Sequence, residues 1–234
     1  MTESRYNDIA ENLKAIRHSI GEAAAAAGRD PGEIALMAVT KTVPAEIVNI
    51  AVSQGIRLLG ENRAQELLEK YGAYDKDGVS IHFIGRLQTN KVRQIIGKVD
   101  MVHSLDSLTL ARELEKRAKS LGKSIDALLE INIGDEGTKA GVLPEEALAF
   151  AESLKEFSCI TLRGLMTIPP ICDTIYDSEK YFYAVHKLFV DMKAKNGDNR
   201  DMNILSMGMS GDYPLAIKHG SNLVRIGSAL FGSR

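Results

Sequence analysis

One lysine and one arginine stand where such residues rarely stand. Lys41 follows the apolar run IALMAVT at 34–40, and Arg225 sits inside the short run LVRIG at 223–227. Lysine is almost never fully buried without a partner. An amine at the end of a buried strand therefore has two readings. One is a cation that marks the strand's exit and points to water. The other is a desolvated amine, whose charged form burial disfavours, leaving a neutral nucleophile for a carbonyl carbon. Arg225 carries protons that it does not give up. Facing a pyridine nitrogen, its guanidinium would donate a hydrogen bond and keep that nitrogen unprotonated, which weakens the ring as an electron sink. Facing Glu61 or Asp106, it would be an ordinary ion pair.

Two turns near the end of the chain have the composition of an anion site. SMGMSGDY at 206–213 and RIGSALFG at 225–232 put Gly and Ser directly after apolar runs. Small residues let backbone N–H groups approach an anion, and a short helix opening near Ser228 would point its positive end there. Either turn alone reads equally well as plain chain reversal. Together they favour a phosphate held by Ser210, Gly227 and Ser228. A carbonyl-seeking lysine beside a phosphate pocket fits two ligand classes, a sugar phosphate or pyridoxal 5′-phosphate.

The elements that must position these groups follow a regular rhythm. Eight strand-like runs begin near residues 34, 56, 80, 101, 126, 160, 204 and 223. Amphipathic helical stripes lie between them: Ala64, Leu67, Leu68 and Tyr71; Leu110, Ala111, Leu114, Ala118 and Leu121; Tyr181, Val185, Leu188, Phe189 and Met192. Alternating strands and helices make a parallel sheet, and eight strands close a (β/α)8 barrel of the TIM type. Ile9, Leu13, Ile16 and Ile20 mark an N-terminal helix that would complete the outer ring after the last strand. An open doubly wound sheet is the runner-up. Nothing looks like a linker, so residues 1–234 read as one domain. Barrel chemistry gathers at strand C-termini. That rule lists Lys41; Glu61 and Asn62; Arg86; His103 and Asp106; Asn132; Thr167; Ser206 and Met207; and Arg225. Lys91 and Lys139 read as loop residues on the same face.

Composition narrows the classes. The 234 residues carry 29 Lys+Arg against 31 Asp+Glu, a net charge of -2 with no basic stripe, which speaks against nucleic acid. No run approaches the length of a membrane span, and MTESRYNDIAENL lacks the apolar core of a signal peptide. Cys159 and Cys172 lack metal or disulfide spacing and read as free thiols in a reducing compartment, which points to the cytoplasm.

The segments AVTKTVPAE, GENRAQE, IHFIGRLQTNK, VHSLDS, LMTI, LSMGMSGDY and VRIGSALFG, in that order, resemble the pyridoxal phosphate homeostasis proteins. The likeness runs from Ile34 to Gly232 without a large insertion. That family in turn resembles the barrel domain of alanine racemase. The resemblance implies pyridoxal 5′-phosphate bound as a Schiff base on Lys41, with Arg225 at the ring nitrogen. It also implies phosphate turns at Ser210, Gly227 and Ser228, and a lining of Asn62, His82, Ser206 and Met207. His82, between Ile81 and Phe83, reads equally as a satisfied core histidine. Two departures occur: Arg86 stands where many relatives have His, and Ile81 where many have Trp.

The implied role is binding, buffering and transfer of pyridoxal phosphate without robust catalysis. B6 vitamers are the implied ligands, pyridoxal-dependent apo-enzymes the implied recipients, and a monomer or weak dimer the implied state. Two-base racemisation needs acid and base groups on both faces of a substrate carbon, and the chain leaves no room after the last strand for a second domain to supply one. A weak amino-acid racemase is the alternative, and a class I aldolase on a sugar phosphate is the third reading.

Overall fold

The computed structural model describes residues 2–134, 140–172, 174–195 and 200–232. The strands are β1 Ala35–Val39, β2 Leu58–Glu61, β3 Ser80–Phe83, β4 Met101–Leu105, β5 Ile125–Ile131, β6 Ile160–Thr167, β7 Arg200–Met209 and β8 Leu223–Ile226. Each pairs in parallel with the next, and β8 pairs with β1, so the sheet closes into a barrel. The strands read as near-continuous apolar runs because both faces are covered.

The outward faces pack beneath helices. These are α1 Thr2–Ala26, α2 Ala45–Ser53, α3 Ala64–Lys70, α4 Thr89–Ile95, α5 Leu108–Ser120, α6 Ala147–Ser153, α7 Glu179–Ala194, α8 Tyr213–Lys218 and α9 Ser228–Phe231. Helix α1 buries Ile9, Leu13, Ile16, Ile20 and Ala24. It packs against α8, α9 and α2, the place expected for a helix completing the ring. Three long-range bonds fix it. Asn12 donates to the Leu230 carbonyl at 3.0 Å, and Arg29, just past the helix, donates to the carbonyls of Ile217 and Ser221 at 3.0 and 2.7 Å. Each large aliphatic side chain of this stripe contributes about 1.5–3 kcal/mol on burial.

The stripes shift slightly from the sequence reading. In α7 it is Phe182, not Tyr181, that is buried with Val185, Phe189 and Met192. Leu121 lies past the end of α5 and is exposed. Lys91 sits in α4 rather than in a loop, because Gln88 in extended conformation lets the helix begin at Thr89. Lys139 lies outside the described residues.

The inward faces form a lumen packed by two small clusters, Met37, Val39, Ile84 and Leu223 on one side and Met101, Leu128 and Met166 on the other, with Ile204 against both. Strand β6 approaches β7 so closely that a Cβ on Gly164 would stand 1.7 Å from the Ile204 carbonyl oxygen, and Gly164 has φ +152°. Only glycine fits both constraints. A register shift at that point changes which residues of β6 and β7 face each other.

Candidate functional site

The pleat decides which strand-end residues reach the lumen. Successive side chains alternate between faces. Val39 faces inward, so Thr40 faces the helices and Lys41 returns to the mouth. The same parity brings in Asn62 after β2, Ile84 after β3, Ser206 on β7 and Arg225 on β8. A cavity of about 560 Å³ lies at the C-terminal ends of these strands. Lys41, Asn62, Ser210, Arg225, Gly227 and Ser228 line it, with an apolar wall of Val39, Ile84, Ile168 and Met209. Six of the nine residues singled out from sequence thus share one cavity.

Of the two readings of Lys41, the one that points to water at the strand's exit is found and desolvation by burial is not. Lys41 is exposed at the rim. It stands two residues beyond Val39, the last lumen residue of β1, in a turn where the Val43 N–H donates to the Thr40 carbonyl at 3.0 Å.

Arg225 lies in the cavity floor and is 3% exposed. It makes no ion pair with Glu61 or Asp106. Its Nη1 donates to the Ser206 carbonyl and hydroxyl oxygens, both at 2.8 Å, and its Nη2 to the Thr167 carbonyl at 2.9 Å. These bonds fix the guanidinium plane. Burial pushes the group down to about 10, against the pull of Asp212 and Glu130. It therefore remains a cation at neutral pH.

The two Gly/Ser turns meet at Ser210. Gly208 has φ +92° and leads β7 into a turn tied by Asp212, which accepts from the Met209 N–H at 2.6 Å. The Ser210 hydroxyl oxygen accepts from the N–H groups of Gly227 and Ala229 at 3.2 and 3.3 Å. Both are long for N–H···O bonds, and the hydroxyl keeps its proton to donate. The donors a phosphate needs are therefore gathered at one end of the cavity. The amine of Lys41 and the guanidinium of Arg225 line the same space. These donors fit an aldehyde that carries a phosphate and a ring nitrogen.

The remaining three residues sit elsewhere. Ser206 lies beneath the cavity as an acceptor for Arg225. Met207 faces the helix layer and is wholly buried there. His82 is buried in the lumen with its Nδ1 2.9 Å from Nε2 of His103. Burial pushes His82 down to about 4. His103 is held well below the usual range by burial first and then by His82 and Arg225. Both rings are neutral at pH 7, which matches the core-histidine reading of His82.

The chain matches the family model described as alanine racemase, N-terminal domain, over residues 12–234. The pyridoxal phosphate homeostasis protein of Aquifex aeolicus is 41% identical over 228 residues, covering 96% of this chain and 97% of that one. This chain belongs to the pyridoxal phosphate homeostasis protein family. Among solved structures, PipY of Synechococcus elongatus with pyridoxal phosphate bound is 32% identical with a TM-score of 0.82. The match covers 96% of this chain and all of that one (100%). Alanine racemase of Corynebacterium glutamicum, at 14% identity and TM-score 0.72, shares the barrel fold over 98% of this chain and 61% of its own.

Sequence reading missed part of this family member's site. Val39, Ile84, Ile168 and Met209 line the cavity, and parity from Lys41 and His82 would have found the first two. Glu130 was overlooked because a lone acid inside an apolar strand carries no motif. It alternates with Leu128 on the lumen face of β5, and burial together with Asp106 pushes it up to about 7 despite Arg225 and Arg86. Among the described residues, no cluster of His, Cys, Asp or Glu is placed to hold a metal, and no helix is long and apolar enough to cross a membrane.

Proposed function

We propose that this chain binds pyridoxal 5′-phosphate reversibly and holds it for release, with Lys41 as the tether. Bound there, the cofactor supplies an aldehyde that condenses reversibly with a primary amine. Lys41 supplies that amine at an open rim, where water and a second amine also have access. Ser210, Gly227 and Ser228 would hold the phosphate, and Asn62 and the apolar wall would flank the ring. The observation that carries the reading is the single cavity joining Lys41, the Ser210 turn and Arg225.

Arg225 favours a holder over a racemase. Its guanidinium is fixed by three acceptors and stays protonated, so it would donate to the ring nitrogen and withhold a proton from it. A carboxylate at that place would do the reverse and favour carbanion chemistry. Both neighbouring histidines are buried and neutral at pH 7, so neither is an imidazolium ready to give a proton to a substrate. Related B6 vitamers with the aldehyde are further ligands, and pyridoxal-dependent apo-enzymes are recipients in this reading.

The test is retention of the cofactor. The parent protein, incubated with pyridoxal phosphate and dialysed, keeps a yellow adduct that borohydride fixes on the peptide containing Lys41. Lys41→Ala keeps none. A Lys41→Ala protein that retains the full absorption after dialysis refutes the tether. Sustained loss of optical rotation from L-alanine or L-serine by the loaded parent refutes the holder in favour of the racemase.

A further inference from the structure

The turn that carries Lys41 is held in an unfavourable shape by groups that do not touch the cavity's phosphate end. Residues 40–43 form a four-residue turn closed by the bond from the Val43 N–H to the Thr40 carbonyl. Its third residue, Thr42, has φ +61°, and it is the one non-glycine among the described residues with positive φ. Turns of this hand give that position to Gly or Asn. For a residue with a branched Cβ the left-handed region is an outlier that persists only where the surroundings impose it.

The surroundings here are Glu66 and Lys70 of α3. The Thr42 N–H donates to Oε1 of Glu66. Lys70 Nζ donates to the same carboxylate oxygen at 2.8 Å and to the Thr40 carbonyl at 2.8 Å, and lies 3.3 Å from the Val43 carbonyl. One ammonium therefore grips the carbonyls on both sides of the turn and the carboxylate that grips its middle. Lys70 is itself anchored by the wholly buried Glu61 at 2.7 Å. Glu61 also accepts from the Thr40 hydroxyl at 2.7 Å and from the Tyr74 hydroxyl. Burial and the Glu61 charge raise Tyr74, so the phenol keeps its proton and remains a donor.

We propose that Lys70, acting through Glu66, is a positioning residue that locks the Lys41 turn in its left-handed form and so aims the Lys41 side chain into the cavity. The inference deepens the tether reading and rests on it for the consequence at Lys41. Lysine has a long flexible stem, and ordering its root is what confines the amine to the reactive direction. The steric penalty of the left-handed region corresponds to a roughly 5- to 30-fold bias against that form once the clamp is gone.

The experiment uses Glu66→Ala, which removes the grip on Thr42 but leaves the buried Glu61–Lys70 pair intact, and Lys70→Met, which removes the hold on Glu66 and on the Thr40 and Val43 carbonyls and is expected to slow trapping in the same direction. Exchange of the Thr42 amide is followed by NMR in cofactor-free protein. The rate of borohydride trapping of pyridoxal phosphate on the Lys41 peptide is followed by mass spectrometry, with melting temperature measured in parallel. Glu66→Ala is expected to lose protection at Thr42 and to trap roughly 5- to 30-fold more slowly at an unchanged melting temperature. Adding Thr42→Asn, a residue that accepts the left-handed region, is expected to restore the rate. A general weakening of the fold would not be rescued in this way. Trapping at the parent rate in Glu66→Ala, or no recovery with Thr42→Asn, overturns the proposal. If the parent traps nothing on Lys41, the tether reading has failed. The amide exchange then decides the clamp alone, with loss of Thr42 protection in Glu66→Ala upholding it and unchanged protection overturning it.

Discussion

Replacing Glu130 by Gln should flatten the dependence of stability on pH. Glu130 faces the lumen from β5, with Asp106, Arg225 and Arg86 as its charged neighbours, and its pKa is raised from 4.5 to about 7, first by burial and then by Asp106. Between those two values the folded chain keeps a proton that the unfolded chain has lost. The folded state therefore binds more protons, and stability falls as pH rises through that window. The 2.5-unit difference sets a ceiling of about 3.4 kcal/mol at 1.36 kcal/mol per unit. The carboxyl is partly exposed, and solvent screening brings the expected loss to about 2 kcal/mol. Glutamine keeps the shape and cannot ionise. Urea unfolding at about pH 5 and about pH 8 should show the parent losing this amount relative to Glu130→Gln. Other titrating groups, such as the raised Asp126, are common to both proteins and cancel in the comparison. Parallel profiles for the two proteins would refute the assignment of a strongly raised Glu130.

Three further outcomes follow from particular contacts. Arg225→Met strands the Thr167 and Ser206 carbonyls in the cavity floor, so chemical denaturation should show a loss of about 2–4 kcal/mol, with weaker retention of pyridoxal phosphate. Ser210→Ala removes the hydroxyl that joins the two anion turns. Affinity should fall about tenfold for pyridoxal phosphate and little for pyridoxal, which lacks the phosphate; equal losses for both ligands would contradict the phosphate assignment. Gly164→Ala drives a methyl into the Ile204 carbonyl oxygen and should cost more than about 4 kcal/mol, read as loss of soluble protein or of a cooperative melt.

The periodicity of the sequence determined the architecture. Eight apolar runs alternating with helical stripes allow few closed arrangements, and each run became a strand close to its read boundaries except the seventh, read from 204, which begins at Arg200. The placement of Lys41 and of the Gly/Ser turns after their strands was equally legible, because the chain must carry its polar groups where buried strands end. Strand-end position did not reveal facing. Met207 and Ser206 are neighbours in sequence, yet one lies among the helices and the other accepts from Arg225. A one-residue change of parity exchanges the two faces, and register shifts along β6 and β7 reset that parity locally.

Sequence alone determined that a lysine, an arginine and two small-residue turns would meet at the mouth of a barrel. Only the tertiary structure decided their physical state. Lys41 is exposed rather than desolvated, because its turn lifts it to the rim. Arg225 is held by carbonyls rather than acids, because β6 and β7 bring Thr167 and Ser206 beside it. Glu130 is raised to about 7 by burial and Asp106, and Thr42 adopts a left-handed turn against its own preference. Each of these depends on charges and hydrogen-bond partners drawn from strands and helices far apart in the chain, and local residue patterns carry no record of such neighbours.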